Sequence, residues 1–297
     1  MTRKLYGIIP PLTTAFTPEG DVYEAGLRAL VDFQITGGAH GLFICGTYGS
    51  GPVMTIVERK QVHEIVVDQA AGRLTVVAHV GTTSTAQSIE LAQHAEAVGI
   101  DYVASVAPYY LHHDPSTIVE FFRDLVSAIT IPVYAYNIPK TTGTEITPSL
   151  LRRLAEVGVK GVKDSGFGYI EFTNYVLEMA EDYPGFGLII GTEGTALPAF
   201  MIGAQGCVSG LANVFPELVV DLWNAWVARD YDRAVQVQMR ILHARKLLHI
   251  APSANAACYA ILRARGIDAG MPKRPVLPAP DDRVAQMLDG FRTLGLL

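Results

Sequence analysis

Eight short runs of apolar, often β-branched residues alternate with longer segments of helical periodicity along this chain. The runs are almost continuously apolar, which is typical of strands in a parallel sheet that is covered on both faces. Closure into an α/β (β/α)8 TIM barrel is the arrangement this alternation favours, and an open doubly wound sheet is the alternative. We predict the strands at residues 7–12, 41–45, 74–80, 101–107, 131–136, 159–163, 187–191 and 206–211.

Local signals mark helix starts and the end of the barrel. Thr55 followed by Glu58 forms a capping-box pattern at the start of a helix. After Phe215 the strand signal stops, and only helical patterns continue. We therefore predict a catalytic barrel at residues 1–224 and a C-terminal helical appendage at residues 225–297.

The composition and charge of the chain exclude some classes of partner and indicate a cellular compartment. The net charge is −6 and no Lys/Arg-rich tract is present, which argues against nucleic acid or an anionic membrane as a partner. The longest uncharged stretch, residues 194–216, contains glycines, prolines and polar residues that do not suit a membrane span. Three widely spaced cysteines fit a reducing cytoplasm. No zinc-type spacing, P-loop or G-x-G-x-x-G motif predicts a metal or a nucleotide cofactor.

Lys163 is the residue whose position most suggests chemistry. It closes an apolar strand, and functional groups of a barrel lie at the C-terminal ends of its strands. Burial lowers the pKa of a lysine and frees its amine as a nucleophile toward a carbonyl carbon. The alternative is a structural ion pair with Asp164 or another carboxylate.

Other strand ends offer candidate partners for this amine. The glycine-rich loop 46–51 could hold a carboxylate through converging backbone N–H groups, or it could be an ordinary βα turn. Tyr136 ends the fifth strand and could move protons, although its ordinary pKa of about 10 requires a hydrogen-bonded partner. Tyr109, Tyr110 and Thr47 are candidates for that partner. Alternatively, each tyrosine is a core aromatic with its hydroxyl satisfied.

Four motifs, taken in order and spacing, make the chain resemble the dihydrodipicolinate synthase / N-acetylneuraminate lyase family of class I aldolases. The resemblance extends over almost the whole length, including the helical tail, and it implies a homotetramer built as a dimer of dimers. The motifs are Gly46-Thr47-Tyr48-Gly49, Pro108-Tyr109-Tyr110, Tyr136-Asn137-Ile138-Pro139 and Gly161-Val162-Lys163-Asp164-Ser165.

The resemblance implies a role for each matching residue. Lys163 matches the lysine that forms a Schiff base with pyruvate or another 2-oxo acid, so no metal or separate cofactor is implied. Tyr136 matches the tyrosine that shuttles protons. Thr47 and Tyr110 match its relay partners, with Tyr110 reaching into the site of the neighbouring subunit. The Thr47–Tyr48 segment matches the part that holds the carboxylate of the 2-oxo acid, and the flanking Gly46 and Gly49 are predicted to bind it as well.

Departures from the family pattern bear on the second substrate. Ser50 stands where the family usually has glutamate, and Thr141 occupies the position of an arginine that binds aspartate semialdehyde in synthases. Lys140 lies one place out of register, and a lysine cannot reproduce a bidentate arginine clamp. Thr192 and Glu193, after the seventh strand, suggest acceptors for a polyhydroxylated or differently charged tail, and Ser209 in the eighth strand segment is a further candidate substrate contact. Glu193 could equally be a structural loop carboxylate.

We expect a class I pyruvate-dependent aldolase or lyase that makes or breaks a carbon–carbon bond to an aldehyde. Within this class the alternatives are a true 4-hydroxy-tetrahydrodipicolinate synthase, which uses aspartate semialdehyde, and a 2-oxo-3-deoxy sugar-acid dehydratase or aldolase. A catalytically silent barrel that binds a small oxo acid is the alternative from a different class. The combination of Lys163, Tyr136, Thr47 and Tyr110 favours the enzyme.

Overall fold

The strands and helices of this protein alternate regularly along the chain. A computed structural model describes residues 5–166 and 168–297. The eight strands are β1 (Gly7–Ile9), β2 (Gly41–Ile44), β3 (Thr75–His79), β4 (Tyr102–Ser105), β5 (Val133–Asn137), β6 (Gly161–Asp164), β7 (Gly187–Ile190) and β8 (Gly206–Val208). The α-helices are α1 (Glu24–Thr36), α2 (Ile56–Ala70), α3 (Thr85–Ala97), α4 (Pro115–Ser127), α5 (Pro139–Thr142), α6 (Pro148–Glu156), α7 (Tyr169–Ala180), α8 (Ala196–Met201), α9 (Pro216–Val227), α10 (Tyr231–Leu248), α11 (Ala254–Ala264) and α12 (Asp281–Thr293).

The sheet is parallel throughout and curls into a barrel. Each strand from β2 to β7 pairs with the next one in sequence, and β8 returns to pair with β1. Backbone hydrogen bonds of 2.9 Å, from His40 N to Ile8 O and from Phe43 N to Pro10 O, join the start of β2 to the β1 segment. The predicted (β/α)8 TIM barrel with C-terminal helices is confirmed.

Most strands are shorter than the apolar runs that predict them. The first run extends to Leu12, but β1 ends at Ile9. Pro10 and Pro11 follow, and a proline has no N–H group to donate to a strand ladder. Apolar side chains therefore continue into the loop after hydrogen-bonded pairing has stopped.

The capping box at α2 is confirmed. Thr55 Oγ1 accepts a hydrogen bond from Glu58 N at 3.2 Å, and the Glu58 carboxylate accepts one from Thr55 N at 2.7 Å. The two contacts satisfy backbone donors that the first helical turn would otherwise leave free.

The inside of the barrel is a packed apolar core. Below Lys163 the inward side chains leave a void of only about 10 Å³. Such packing is characteristic of a (β/α)8 barrel, whose interior is not a pore. The amine is consequently accessible only from the C-terminal mouth.

The C-terminal helices pack beside this mouth. On α10, the Gln238 amide accepts a hydrogen bond from Leu197 N at 3.0 Å and donates one to Glu193 O at 2.9 Å. On α11, Asn255 donates to Ser50 Oγ at 3.2 Å. The boundary that we place at residue 224 falls within α9 and stays a prediction.

Several whole-chain features bear on possible ligands. In residues 5–166 and 168–297, no helix is long and apolar enough to cross a membrane. The same residues contain no cluster of three or more His, Cys, Asp or Glu side chains suited to a metal ion. All three cysteines are buried and free. Cys45, predicted inside the second strand, lies just after it with a left-handed φ of 56°.

Candidate active site

The Lys163 side chain lies at the mouth of the barrel without a counter-ion. It is 4% exposed, and its Nζ is 3.6 Å from the centre of the Tyr136 ring and 3.9 Å from that of Phe43. No carboxylate of the described chain lies within ion-pair distance of it. Burial lowers the pKa of the Lys163 ammonium, and the hydroxyl of Tyr136 partly opposes this effect. The amine is thus biased toward its nucleophilic neutral form.

Asp164 does not provide the ion pair that was the structural alternative for Lys163. Its Oδ1 accepts hydrogen bonds from Asn137 Nδ2 at 2.8 Å and from Gly166 N at 3.1 Å. Asn137 Nδ2 also donates to the Tyr175 hydroxyl at 3.1 Å. Burial raises the pKa of the Asp164 carboxyl. This network ties together the ends of β5 and β6, from which Tyr136 and Lys163 project.

Tyr136 occupies the register position opposite Lys163 on the neighbouring strand. Its hydroxyl lies 3.3 Å from Thr47 Oγ1. Two rings stand edge-on to its own: Phe43 at a centroid distance of 5.5 Å and His79 at 5.7 Å. The phenol therefore has a hydroxyl partner on one side and the amine against its ring.

The loop after β2 is a tight turn. A Cβ on Gly51 would lie 1.7 Å from Cys45 O, so only glycine fits at that position. Gly51 N donates to Gly46 O at 3.0 Å, and Thr14 Oγ1 donates to Gly49 O at 2.8 Å. These contacts hold the segment that carries Thr47 in place.

Tyr48 points in the opposite direction, toward the end of β8. A Cβ on Gly210 would lie 2.4 Å from the Tyr48 hydroxyl, so the ring packs where no side chain intervenes. Burial raises the pKa of Tyr48 well above its ordinary value. Its phenol therefore stays protonated at neutral pH and can donate a hydrogen bond.

A cavity of about 150 Å³ opens beside Tyr136. Its wall contains hydroxyl, imidazole and apolar groups, and none of its lining residues is Asp, Glu, Lys or Arg. The sequence-predicted residues Thr47, Tyr136 and Thr141 meet here. The cavity is lined by Thr47, Pro52, His79, Val106, Tyr109, Tyr136, Ile138, Thr141 and Thr142.

Glu193 and Ser209 come together on the other side of the mouth. Ser209 Oγ donates to Glu193 Oε2 at 3.0 Å, and Arg245 Nε lies 3.2 Å from Glu193 Oε1. Ser209 Oγ also accepts a hydrogen bond from Ala212 N at 3.2 Å. Both carboxylate oxygens are therefore engaged within the chain. A contact of Glu193 and Ser209 with a substrate stays a prediction.

Tyr110 lies apart from the other predicted site residues. It is 91% exposed, with a left-handed φ of 79°, and the next residue, Leu111, is 65% exposed. Among the hydrogen bonds of the described residues, none joins Tyr110 to Thr47 or Tyr136. Within a single chain, the described contacts of the predicted relay thus comprise Thr47 and Tyr136, and the part of Tyr110 in it stays a prediction.

The sequence analysis did not single out His79. This residue lies at the C-terminal end of β3, lines the cavity, and packs edge-on against Tyr136. The signal that identified Lys163, a polar side chain closing an apolar strand, would also have found His79.

A nearly closed barrel with a buried amine and a facing tyrosine at its mouth defines a Schiff-base lyase of the class I aldolase type. The chain belongs to the dihydrodipicolinate synthetase family, whose model matches residues 4–290. The resemblance stated from the sequence, and with it the predicted enzyme class, is confirmed.

Named relatives span nearly the full length of the chain. An uncharacterized DapA-like lyase of Halobacterium salinarum is 36% identical over 99% of this chain and 95% of its own. The 4-hydroxy-tetrahydrodipicolinate synthase of Desulfotalea psychrophila is 32% identical over 99% and 98%. Among solved structures, YagE, a prophage protein of the dihydrodipicolinic acid synthase family from E. coli K12, in complex with pyruvate, superposes with a TM-score of 0.96. It is 26% identical, and the match covers 99% of this chain and 100% of YagE.

Proposed function

We propose that this enzyme binds pyruvate, or a closely related 2-oxo acid, as a Schiff base on Lys163 and makes or breaks a carbon–carbon bond to an aldehyde. The observation that carries the proposal is a buried amine that has no counter-ion among residues 5–166 and 168–297 and lies 3.6 Å from the centre of the Tyr136 ring. The structure of YagE in complex with pyruvate supports the choice of oxo acid.

The chemistry begins with attack of Lys163 Nζ on C2 of the oxo acid and loss of water to give an iminium ion. This ion is an electron sink, so C3 loses a proton and becomes an enamine carbon. Tyr136 and Thr47 carry that proton. The enamine carbon attacks the aldehyde carbonyl, whose oxygen takes a proton from Tyr136. Water then hydrolyses the new iminium and releases the amine, so no metal or separate cofactor is required.

The loop 46–49 is the proposed cradle for the carboxylate of the oxo acid. Its conformation is fixed by the contacts of Gly46 and Gly49 described above, so its N–H groups are preorganised. We place Tyr48, packed against Gly210, at the edge of this cradle.

For the aldehyde we propose an uncharged, hydroxylated partner. The cavity beside Tyr136 offers the hydroxyls of Thr141 and Thr142 but no cationic side chain. A carboxylate such as that of aspartate semialdehyde would have no arginine to bind. A second candidate is 4-hydroxy-tetrahydrodipicolinate synthase activity, which is favoured by the name of the Desulfotalea psychrophila relative.

The exposure of Tyr110 supports an oligomeric site. We propose that Tyr110 completes the relay of a neighbouring subunit in a homotetramer, a dimer of dimers, since it contacts neither relay residue of its own chain. Buried free thiols support the cytoplasm as the compartment.

Borohydride reduction with pyruvate tests the proposal. We expect a reduced pyruvate adduct on the peptide that contains Lys163, found by mass spectrometry, and no adduct in the Lys163→Arg variant. An unmodified wild-type peptide would overturn the proposal. Pyruvate consumption with aspartate semialdehyde and with neutral hydroxyaldehydes then separates the two candidate functions.

A further inference from the structure

His79 is a buried histidine with one hydrogen-bonded and one unpartnered ring nitrogen. It is 3% exposed, and its Nδ1 lies 3.1 Å from Cys45 O. Its Nε2 has no hydrogen-bond partner among the described residues. A Cβ on Gly81 would lie 2.9 Å from Nε2 and from Val106 Cγ2 and 3.0 Å from Ser105 Oγ, so this nitrogen lies in tightly packed surroundings.

These contacts fix the protonation state of the ring. A carbonyl oxygen only accepts hydrogen bonds, so His79 Nδ1 carries the proton that is donated to Cys45 O. Protonation of Nε2 would place an unpaired charged donor in this packed site, close to the guanidinium of Arg59 on α2 and the amine of Lys163 on β6. Burial, followed by the charge of Arg59 and that of Lys163 when it is protonated, lowers the pKa of His79 well below its ordinary value. The imidazole is a neutral Nδ1–H tautomer.

The His79 ring links the loop that carries Thr47 to the ring of Tyr136. Thr47 and Tyr136 are the two members of the proposed proton relay. Its Nδ1–H bond holds the carbonyl of Cys45, two residues before Thr47. Its edge packs at 88° against Tyr136, whose hydroxyl lies 3.3 Å from Thr47 Oγ1. His79 thus contacts both the segment that leads into the Thr47 loop and the ring of Tyr136.

Arg59 anchors the backbone of this connection. This guanidinium is 2% exposed, and it donates to Gly81 O at 3.1 Å and to His79 O. Arg59 on α2 thereby fixes the backbone at the end of β3, which carries His79. The hydrogen bond from Nδ1 to Cys45 O in turn restrains the rotation of the His79 ring.

We propose that His79 is a positioning residue that sets the Thr47–Tyr136 contact and so controls proton transfer at C3 of the substrate. This inference rests on the proposed function, since it concerns a step that follows imine formation. Two steps of the reaction at this site then differ in whether they depend on His79. Imine formation on Lys163 is independent of His79, and deprotonation of the imine depends on it.

Two variants test this separation. His79→Leu fills much of the volume and removes the Nδ1 donor, whereas His79→Asn keeps a donor near the place of Nδ1. Solvent deuterium exchange into the methyl group of pyruvate, followed by NMR, measures imine formation together with proton transfer. Borohydride trapping measures the imine alone. We expect His79→Leu to slow exchange by about 10- to 100-fold at an unchanged trapping yield, the scale of a small misplacement of catalytic groups. His79→Asn should recover a large part of the loss.

The outcomes distinguish this inference from the proposed function. A wild-type protein that traps no pyruvate overturns both. A trapping wild type whose His79→Leu variant exchanges equally fast overturns only the role of His79. Equal losses of trapping and exchange, or a His79→Asn variant as slow as His79→Leu, also overturn it, because they indicate a general structural defect or a different connection.

A measurement on the unaltered enzyme keeps the inference testable if a variant fails to fold. Nitrogen-15 NMR of labelled histidine should show His79 as a neutral Nδ1–H tautomer that does not titrate over roughly pH 5 to 9, across the ordinary histidine pKa. A His79 signal that titrates near the ordinary pKa, or that carries its proton on Nε2, would contradict the argument.

Discussion

The two sides of the barrel mouth differ in how their polar atoms are paired. On the β7–β8 side, Glu193 is held by Ser209 and by Arg245 of α10, and these bonds engage both carboxylate oxygens. On the β2–β6 side, the Lys163 amine has no counter-ion and His79 Nε2 has no partner in the described chain. Both sides consist of buried polar residues at strand ends.

The difference teaches that position at a strand end does not by itself indicate chemistry. A buried polar group that is fully paired stabilises the fold, whereas an unpaired polar group is free to bind a substrate. We therefore expect the β2–β6 side to be the reactive side, whereas the contacts of Glu193 on the β7–β8 side join α10 to the barrel. Four experiments test this contrast.

Replacement of Lys163 should produce the largest effect. We expect Lys163→Met to abolish trapping and to lower activity by at least about 10⁴-fold, the scale of losing a nucleophile. The same variant should unfold at higher denaturant concentration, with a gain of about 1 kcal/mol, because an unpaired buried amine is removed. Urea titration measures this gain. A loss of stability would mean that Lys163 has a structural partner after all.

Replacement of Tyr136 should come next. We expect Tyr136→Phe to lower turnover by roughly 10²- to 10³-fold, within the range of general acid–base catalysis. Trapping should persist, and its pH midpoint should move down, because the Tyr136 hydroxyl raises the pKa of Lys163. Trapping yield against pH measures this midpoint, and a shift upward would contradict the assigned contact.

On the β7–β8 side the expected effect is on stability. Glu193→Gln should lower the free energy of unfolding by about 1–3 kcal/mol, because Arg245 and Ser209 lose a charged partner. A double-mutant cycle with Arg245→Met, measured by urea unfolding, isolates the ion pair. A changed KM for the aldehyde would instead support the predicted substrate contact of Glu193.

The smallest effect concerns the pH dependence of stability. Burial lowers the pKa values of His63 and His79 well below normal. The unfolded chain therefore binds more protons below about pH 6.5, so the contribution is full above that pH and is lost as the pH falls toward the lowered values. The slope should reach at most about 1.4 kcal/mol per pH unit for each histidine. Urea midpoints at several pH values, for wild type and for His79→Asn, measure it.

Much of the fold follows from local sequence. The apolar runs predict all eight strands because each strand is buried on both faces, and the pair Thr55 and Glu58 predicts the start of α2 because the motif is contained in one turn. Lys163 stands out for the same local reason. Strand ends are less accurate, as Pro10 shows, because burial continues beyond backbone pairing.

Long-range contacts could not be predicted in this way. Arg245 lies far along the chain from Glu193, and no pattern in the sequence predicts that α10 packs beside the mouth of the barrel. His79 is visible in the sequence as a polar residue near the end of an apolar run, but that position alone does not show what it contacts. Its significance depends on Tyr136, which lies on a strand that is distant in sequence. Pairings of this kind are set by tertiary packing, which only the folded structure shows.

The packed interior of the barrel also bears on the order in which the two substrates bind. Because the void beneath Lys163 is only about 10 Å³ and lies among apolar side chains, the amine stands at the closed end of a single entrance. In the bond-forming direction we therefore expect the oxo acid to bind before the aldehyde and to be held in place by the molecule above it. Steady-state kinetics should follow this fixed sequence, with excess aldehyde inhibiting turnover by occupying the entrance first.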